Sequence, residues 1–526
     1  MKEQGQEDFD FMEEGVNYIN KNNELTNKFK EDEKQNNITI EIYKLLLSKQ
    51  YNIASEKITQ YVKTKFNIYT LRDDKKDELW VYENGIYIPE GKSYIKQTCR
   101  NILGVAYNVK FVKEVIAKVM ADSLISFDDF FNNNYVNQIP VLNGILNLKT
   151  KKLTPFTFDK IFFNKVNAEF KPGVDCPNIK NFFYQILDKQ DVIAIQELIG
   201  YCLWKEYFIE RAILFRGDGG NGKSKTLSLL KNFLNPKNTI SVSLSQLENS
   251  GSFHICELQN RLVNMAGELS KRALEETEMF KSLVGRDNIT ADRKFLRPVT
   301  FVNFAKMIFN CNDRPPTYDL SDGFFRRWLV FHFKNKFVDQ DVYDALEDKT
   351  NYGVKDTDII EKISSAVEFS GLLNWALEGL NRLLSNKKFS NSKSTEDTRL
   401  EWLEDSNNFI VFFEKNMNIS PSHLVSKDDL RVKYAEFCNS KNVIPVSDKA
   451  ILWYLRNKGI SSSRRTKDFN GFSEQVFCWI GCRFNDDSVD IKGWSNFVKI
   501  ENKIEALKEF DNFEKSIGVV VENVEE

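Results

Sequence analysis

The stretch AILFRGDGGNGKSKTLSLLKNF, Ala212 to Phe233, constrains this chain more than any other. Ala212-Ile213-Leu214-Phe215 reads as a short buried strand. It breaks into Gly217-Asp218-Gly219-Gly220-Asn221-Gly222-Lys223-Ser224, and from Lys225 to Phe233 the pattern suits a helix. This is GxxxxGK[ST] in its strand–loop–helix setting. Glycines let successive N–H groups curl around phosphate oxygens, and a helix N-terminus adds partial positive charge. Gly217 through Ser224, with Lys225 behind them, are therefore the candidate nucleotide-binding residues. Lys223 is expected to reach the β/γ-phosphates, and Ser224 to offer its hydroxyl to Mg²⁺. A glycine-rich turn with a chance Lys-Ser is the bland alternative; the flanking strand and helix weigh against it.

Composition narrows the remaining classes. Lysines and arginines number 73 against 75 acidic residues, a net charge of −2, so contact with nucleic acid must rest on local basic patches. The 526 residues suffice for about three or four domains. The eight cysteines are scattered without a CxxC, and none of the three histidines has metal-ligand spacing, which argues against a dedicated transition-metal site and for a reduced cytoplasm. No signal peptide and no apolar run near the length of a membrane span is evident, so a soluble cytoplasmic protein is expected.

Downstream, Arg261 to Glu268 reads as a mostly apolar strand ending in a carboxylate, where Glu268 is placed to activate water beside a γ-phosphate. Asn288–Ala291 and Val299–Val302 read as a hairpin, its tip (Asp292-Arg293-Lys294-Phe295-Leu296-Arg297) combining cations with an aromatic ring. That pairing suits single-stranded backbone and base stacking, although without further context a solvated turn with Phe295 packed back on the sheet is the simpler reading. Lys306–Asn312 reads as another buried strand ending in an amide. Arg326 and Arg327 precede a further strand, where an arginine finger would sit.

Upstream, a polar tail spans residues 1–37. Ile38 to Phe66 looks helical, Trp80 to Ile88 reads as a hairpin turning on Asn84-Gly85, and Val141 to Leu148 forms a second small β region. Asp191 to Phe208 reads as a helix feeding the phosphate-loop strand. Nothing before residue 212 resembles a metal-dependent primase site. Near the C-terminus, Asp428–Ser440 and Asp448–Lys458 read as helices, the second capped by Ser447. A basic turn, Ser463-Arg464-Arg465-Thr466-Lys467, then leads through Asn470-Gly471 to a strand, Val476–Ile480. Helix, helix, basic turn, strand is a winged-helix order, and Arg464, Arg465 and Lys467 are candidate DNA contacts.

Taken in order, the GGNGKS loop, Glu268, Gly285-Arg286-Asp287, Ile289 to Phe295, Ala305-Lys306, Asn312 with Arg314-Pro315-Pro316, Asp319, and Ser321 to Arg327 resemble one family. They are similar to the superfamily 3 helicases of phages, plasmids and large DNA viruses, in the poxvirus-type and satellite-phage-type primase–helicase branch. Glu197–Leu203 and Glu368–Leu380 resemble helices on either side of that family's motor. The resemblance implies an α/β, AAA+-like P-loop motor core with a helical/β N-terminal domain and a C-terminal winged helix. It implies an ATP-hydrolysing DNA helicase working with Mg²⁺ as a ring, expected as a hexamer, on single-stranded or forked DNA. By position, Lys223 and Ser224 hold phosphate and Mg²⁺, and Glu268 activates water near the metal. Asn312 is the sensor, and Arg293, Lys294 and Phe295 lie in the pore hairpin. Arg327 acts on the neighbour's ATP, with Arg326 in reserve. Gly267 stands where an Asp often precedes the glutamate. The primase half of fused members is missing, which leaves a separate primase open as a partner.

The expected domains are a tail (1–37), an N-terminal mixed α/β region (38–185), the ATPase with its flanking helices (186–390), a winged-helix-like domain (400–485) and a C-terminal tail (486–526). An origin- or partner-binding ATPase that assembles on DNA without processive unwinding is the alternative function. A metabolic kinase lacks any recognisable acceptor pocket.

Overall fold

The structure, a computed structural model, describes residues 35–485 apart from 73–76, 132–134, 249–252, 270–273, 275, 295, 318, 442 and 470–471. The two expected tails, apart from residues 35–37, and the Asn470-Gly471 turn therefore lie outside the described residues. The chain divides into two compact units. One comprises residues 1–267, 282–309 and 331–391; the other comprises 268–281, 310–330 and 392–526.

The first unit begins with four helices: α1 (35–47), α2 (Tyr51–Lys65), α3 (Gly91–Leu103) and α4 (Val109–Asp122). Their apolar residues recur every three or four positions: Ala54, Ile58 and Val62 on α2, Ile95, Cys99 and Ile102 on α3, Val112, Val115 and Val119 on α4. These side chains, with Ile42, form one buried cluster. Strands β1 (Ile68–Leu71), β2 (Leu79–Glu83), β3 (Ile86–Ile88) and β4 (Leu124–Ile125) form a sheet of order β3-β2-β1-β4. The β2–β3 hairpin turns on Asn84 (φ 46°) and Gly85 (φ 96°), as the Asn-Gly pair predicts. A short helix α5 (Phe127–Phe131) places Phe130 against Tyr69, Trp80 and Tyr87. Next, β5 (Gln138–Val141), β6 (Gly144–Asn147) and β7 (Leu153–Thr154) form a three-stranded antiparallel sheet that contains the second β region read from the sequence.

Helices α6 (Pro177–Ile186) and α7 (Lys189–Leu203) lead to β8 (Ala212–Arg216). The sequence pattern carried α7 on to Phe208, but the helix stops at Leu203. Trp204 turns extended, and the Tyr201 hydroxyl donates to Ile209 O (2.9 Å) and accepts from Ile209 N (3.2 Å), fixing a buried loop instead. From β8 the chain runs through α8 (Lys223–Leu234), β9 (Thr239–Ile240), α9 (Leu244–Glu248), β10 (Val263–Glu268), α10 (Glu278–Gly285), the hairpin β11 (Asn288–Ala291) and β12 (Val299–Val302), β13 (Lys306–Cys311), α11 (Asp322–Phe325) and β14 (Trp328–His332). The large sheet has the order β14-β8-β13-β10-β9, with β9 and β10 parallel, so the fold is mixed α/β. Its strands are near-continuous apolar runs, as strands covered on both faces are; every residue of β13 is buried. After it come β15 (Lys336–Val338), α12 (Gln340–Asp344), β16 (Tyr352–Val354), α13 (Ile359–Ile363) and the long helix α14 (Ala366–Asn386).

Helix α14 packs closely on α7. A Cβ on Gly200 would lie 2.2 Å from Ala376 O, and one on Gly379 2.5 Å from Gln196 O, so hydrogen alone lets these backbones meet. The buried Glu197 carboxylate pairs with Arg382 Nε (2.6 Å) and accepts from Ser390 N (2.8 Å).

In the second unit, Phe280, Phe324, Trp328 and Trp402 pack ring on ring, and Trp402 Nε1 donates to Pro315 O (2.9 Å). The C-terminal elements are α15 (Thr395–Ser406), α16 (Asn408–Asn416), β17 (Met417–Ser426), α17 (Lys427–Lys441), α18 (Asp448–Asn457), β18 (Ser461–Phe469) and β19 (Phe472–Phe484). Ser447 caps α18, accepting from Ala450 N. Ser463 to Lys467 is not a turn: it is the middle of β18, paired antiparallel with β19 from Ser461↔Ile480 to Phe469↔Phe472 in a sheet of order β17-β19-β18. Long-range pairing with β19 outweighs the local polarity that reads as loop.

Candidate functional site

Strand β8 delivers the phosphate-loop candidates. Gly217 (φ 156°), Gly220 (φ 77°) and Gly222 (φ 91°) adopt backbone conformations that L side chains rarely take. Space forbids more than hydrogen at Gly217, where a Cβ would sit 2.2 Å from Asn221 Nδ2 and 2.4 Å from Phe333 O. The loop is pinned from outside. Asn221 Nδ2 donates to Phe333 O (3.1 Å), Phe333 N to Arg216 O (2.8 Å) and Phe337 N to Gly220 O (2.8 Å). Helix α8 follows at once and has no side-chain cap, which leaves its first-turn N–H groups for an incoming acceptor.

Lys223 is 8 % exposed and folds back on its own loop. Its Nζ donates to Gly217 O, to Asp218 O (3.1 Å) and to Asn221 Oδ1 (3.3 Å). All three are neutral oxygen acceptors, which the more strongly charged oxygens of a phosphate could replace. Asp218, Gly219, Ser224 and Lys225 are exposed at the loop and the helix start. A pinned glycine loop, an uncapped helix start and a lysine held by replaceable acceptors together fit a polyphosphate, and an exposed hydroxyl at Ser224 fits a divalent cation bound with it.

The other expected catalytic residues belong to the second unit. Glu268 is the last residue of β10; its side chain lies outside the described ones. Asn312 directly follows β13. Beside it in sequence, Asn310 N–H and C=O lie in the strand, and Asn310 O accepts from Leu269 N (2.7 Å), while its buried Oδ1 has no hydrogen-bond partner.

The two arginines after α11 differ. Arg327 is 9 % exposed and donates from Nη1 to Gly323 O (2.7 Å), whereas Arg326 is exposed. The turn that carries them hangs on Asp319, which sequence reasoning noted without a role. Its carboxylate accepts from Thr277 Oγ1, from Lys281 Nζ (2.9 Å), and from Ser321 N (3.0 Å) and Oγ (2.5 Å). Partial burial works to raise its pKa, but the bonds from Ser321, Thr277 and Lys281 outweigh it and hold the carboxyl down at about 2. Ser321 is in turn the residue just before α11.

The hairpin β11–β12 forms with the expected register, Asn288↔Val302 to Ala291↔Val299. At its tip Lys294 and Arg297 are exposed, while Phe295 lies outside the described residues. Arg293 is not offered to solvent in the same way: its Nη2 pairs with Glu78 Oε1. Nothing in the sequence signals that partner, since the two lie far apart in the chain. In the C-terminal sheet, Arg464 is exposed and Arg465 half-buried on β18, and the Lys467 side chain lies outside the described ones.

Lys306, at the start of β13, was also missed as a buried charge. Its Nζ donates to Trp204 O (2.7 Å), Phe304 O (2.8 Å) and Glu206 O (3.2 Å), with the Tyr201 and Tyr207 rings at 4.3 and 4.8 Å. Burial pushes its ammonium down to about 7, while acceptors that can only receive a proton favour the charged form. It ties the β13 strand to the loop after α7.

Comparison with known proteins matches separate parts of the chain. Residues 26–188 match the family described as "D5 N terminal like". Residues 215–327 match a family of unknown function, DUF5906. A protein of Acanthamoeba polyphaga mimivirus, L207/L206, named as a candidate helicase, is 31 % identical over 167 residues. That match takes in 31 % of this chain but only 17 % of the mimivirus protein. Among solved structures, two apo structures of the NrS-1 C-terminal region align at TM-scores of 0.40 and 0.38. Each is 14 % identical and aligns over 81 % of this chain and 98 % of that one. No helix among the described residues is long and apolar enough to cross a membrane.

Proposed function

We propose that this chain is the ATP-driven motor of a replicative DNA helicase of a virus, phage or plasmid-type element, related to the superfamily 3 helicases and working as a ring on single-stranded DNA. The observation that carries the reading is the conformation of residues 217–223: a pinned glycine loop at the head of an uncapped helix, with Lys223 on its own carbonyls. The match to the D5 N-terminal-like family and the name of the mimivirus relative support a replication role.

ATP with Mg²⁺ would supply the phosphoanhydride whose hydrolysis powers movement. The protein's share is positioning. Lys223 would exchange Gly217 O and Asp218 O for phosphate oxygens, the α8 N–H groups would bind the same charge, and Ser224 would hold the cation. Glu268 would orient or deprotonate water, and Asn312 would hold it in line. Of the arginine pair, Arg326 is the exposed member and takes the role of acting on a neighbouring subunit, while Arg327 braces the turn through Gly323 O. The order α16-β17-α17-α18-β18-β19 is compatible with the winged helix expected from the sequence, and we assign these elements to DNA contact.

The test is ATP turnover with and without single-stranded DNA, alongside strand displacement on a forked duplex. Turnover stimulated by the polynucleotide, with displacement that Lys223→Ala abolishes, is expected. Turnover by a monomer at one rate with and without DNA would overturn the reading.

A further inference from the structure

The sheet of the second unit carries a cation–aromatic cluster that its basic residues alone do not explain. Alternation along β19 puts Gln475, Phe477 and Trp479 on one face. Cross-strand partners share a face, so Arg464 (opposite Phe477), Ser462 and Val425 (both opposite Trp479) lie there too. The Arg464 guanidinium carbon is 4.5 Å from the Phe477 ring centroid. Lys427, the first residue of α17, puts its Nζ 5.3 Å from Phe477 and 4.6 Å from Trp479. Trp479 is buried, but Phe477 is 43 % exposed.

An aromatic ring this exposed loses the free energy of burial, and two cations drawn to one ring repel each other. An occupant that is both flat and anionic relieves both costs. Among the described side chains of β18 and β19, the charged ones are Arg464, Arg465 and Arg483. The nearby acids Asp428 and Asp448 are held by Arg431, at 3.8 and 3.0 Å.

We propose that Phe477, with Arg464 and Lys427 over its ring, is a stacking site for an unpaired base of single-stranded DNA, the base taking a ring face as the two cations swing out to its flanking phosphates. A duplex keeps its base faces stacked inside and offers such a ring nothing but backbone, so the ring specifies a single strand. The proposal rests on the reading of the chain as a DNA-acting motor.

The full chain is titrated with a short labelled oligothymidylate and with a duplex of equal length. Phe477→Ala should weaken single-strand binding about 5- to 150-fold, the worth of one stacked base. Duplex affinity and DNA-independent ATP turnover should stay unchanged, and Phe477→Trp should bind as the natural chain does. Ultraviolet cross-linking of an iododeoxyuridine oligonucleotide should label the peptide Phe472–Phe484. Wild-type affinity in Phe477→Ala, equal loss for single strand and duplex, or cross-links confined to other peptides would each overturn the proposal. A natural chain that binds no DNA would instead sink the motor reading beneath it.

Discussion

Glu78 and Arg293 form an ion pair across 215 residues of sequence, with side chains only 20 % and 21 % exposed. The pair ties the tip of the β11–β12 hairpin, where DNA contact was expected, to the segment leading into β2. A cation engaged this way is withheld from a phosphate until the carboxylate lets go.

Glu78→Gln keeps the side chain's shape and removes its charge. Arg293 is then expected to join the DNA contacts, steepening the dependence of log K on log salt for single strands by about 0.7. Binding measured across a salt series checks this; an unchanged slope would mean that Arg293 keeps its place without the charge.

Lys223→Ala removes the ammonium that the loop oxygens hold in reserve. Loss of one preorganised electrostatic contact costs about 10²–10³ in turnover, so hydrolysis should fall at least that far. Phosphate release at saturating ATP is the measurement.

The two arginines should separate in their effects. Arg326→Ala is expected to cost about 10³–10⁵ in turnover with little change in melting temperature, and to be partly rescued in mixed rings. Arg327→Ala strips a buried contact from Gly323 O and should lower the melting temperature itself. Parallel melting and turnover assays decide between them; the reverse pattern would return the trans role to Arg327.

Asp319 gives a pH signature. Its folded value of about 2 lies below the ordinary 3.8, so the folded state binds the proton less readily than the unfolded chain. The stabilisation is therefore complete above about pH 4 and is lost as pH falls toward 2, with an upper bound of about 2 kcal/mol. Asp319→Asn should melt below the natural chain at neutral pH, and the gap should close between pH 4 and 2.

Gly200→Ala and Gly379→Ala should each destabilise the α7–α14 contact, because the added methyl meets backbone rather than a yielding side chain. Overpacking of this kind costs about 1–3 kcal/mol. Denaturant midpoints measured for both variants check it.

The legible parts were those whose chemistry is local. Asn84-Gly85 demanded a tight turn, the glycines around Lys223 demanded a loop between strand and helix, and Asn288–Ala291 and Val299–Val302 were readable as strands able to pair around a tip. All three stand in the structure. The end of α7 and the strand nature of Ser463–Lys467 were not legible, because a hydroxyl on Tyr201 in one case and a partner strand in the other decide them from a distance.

For this protein the sequence by itself determined the glycine loop between β8 and α8, the strand and helix that flank it, and which arginines and carboxylates are candidates. Spacing and side-chain type suffice for those, since neighbours in the chain set backbone conformation. Only the tertiary structure decided that Arg293 is paired, that Arg327 is buried while Arg326 is exposed, and that Phe477 lies under two cations. Burial and charge pairing depend on residues brought together by folding, and no local pattern records which ones those are.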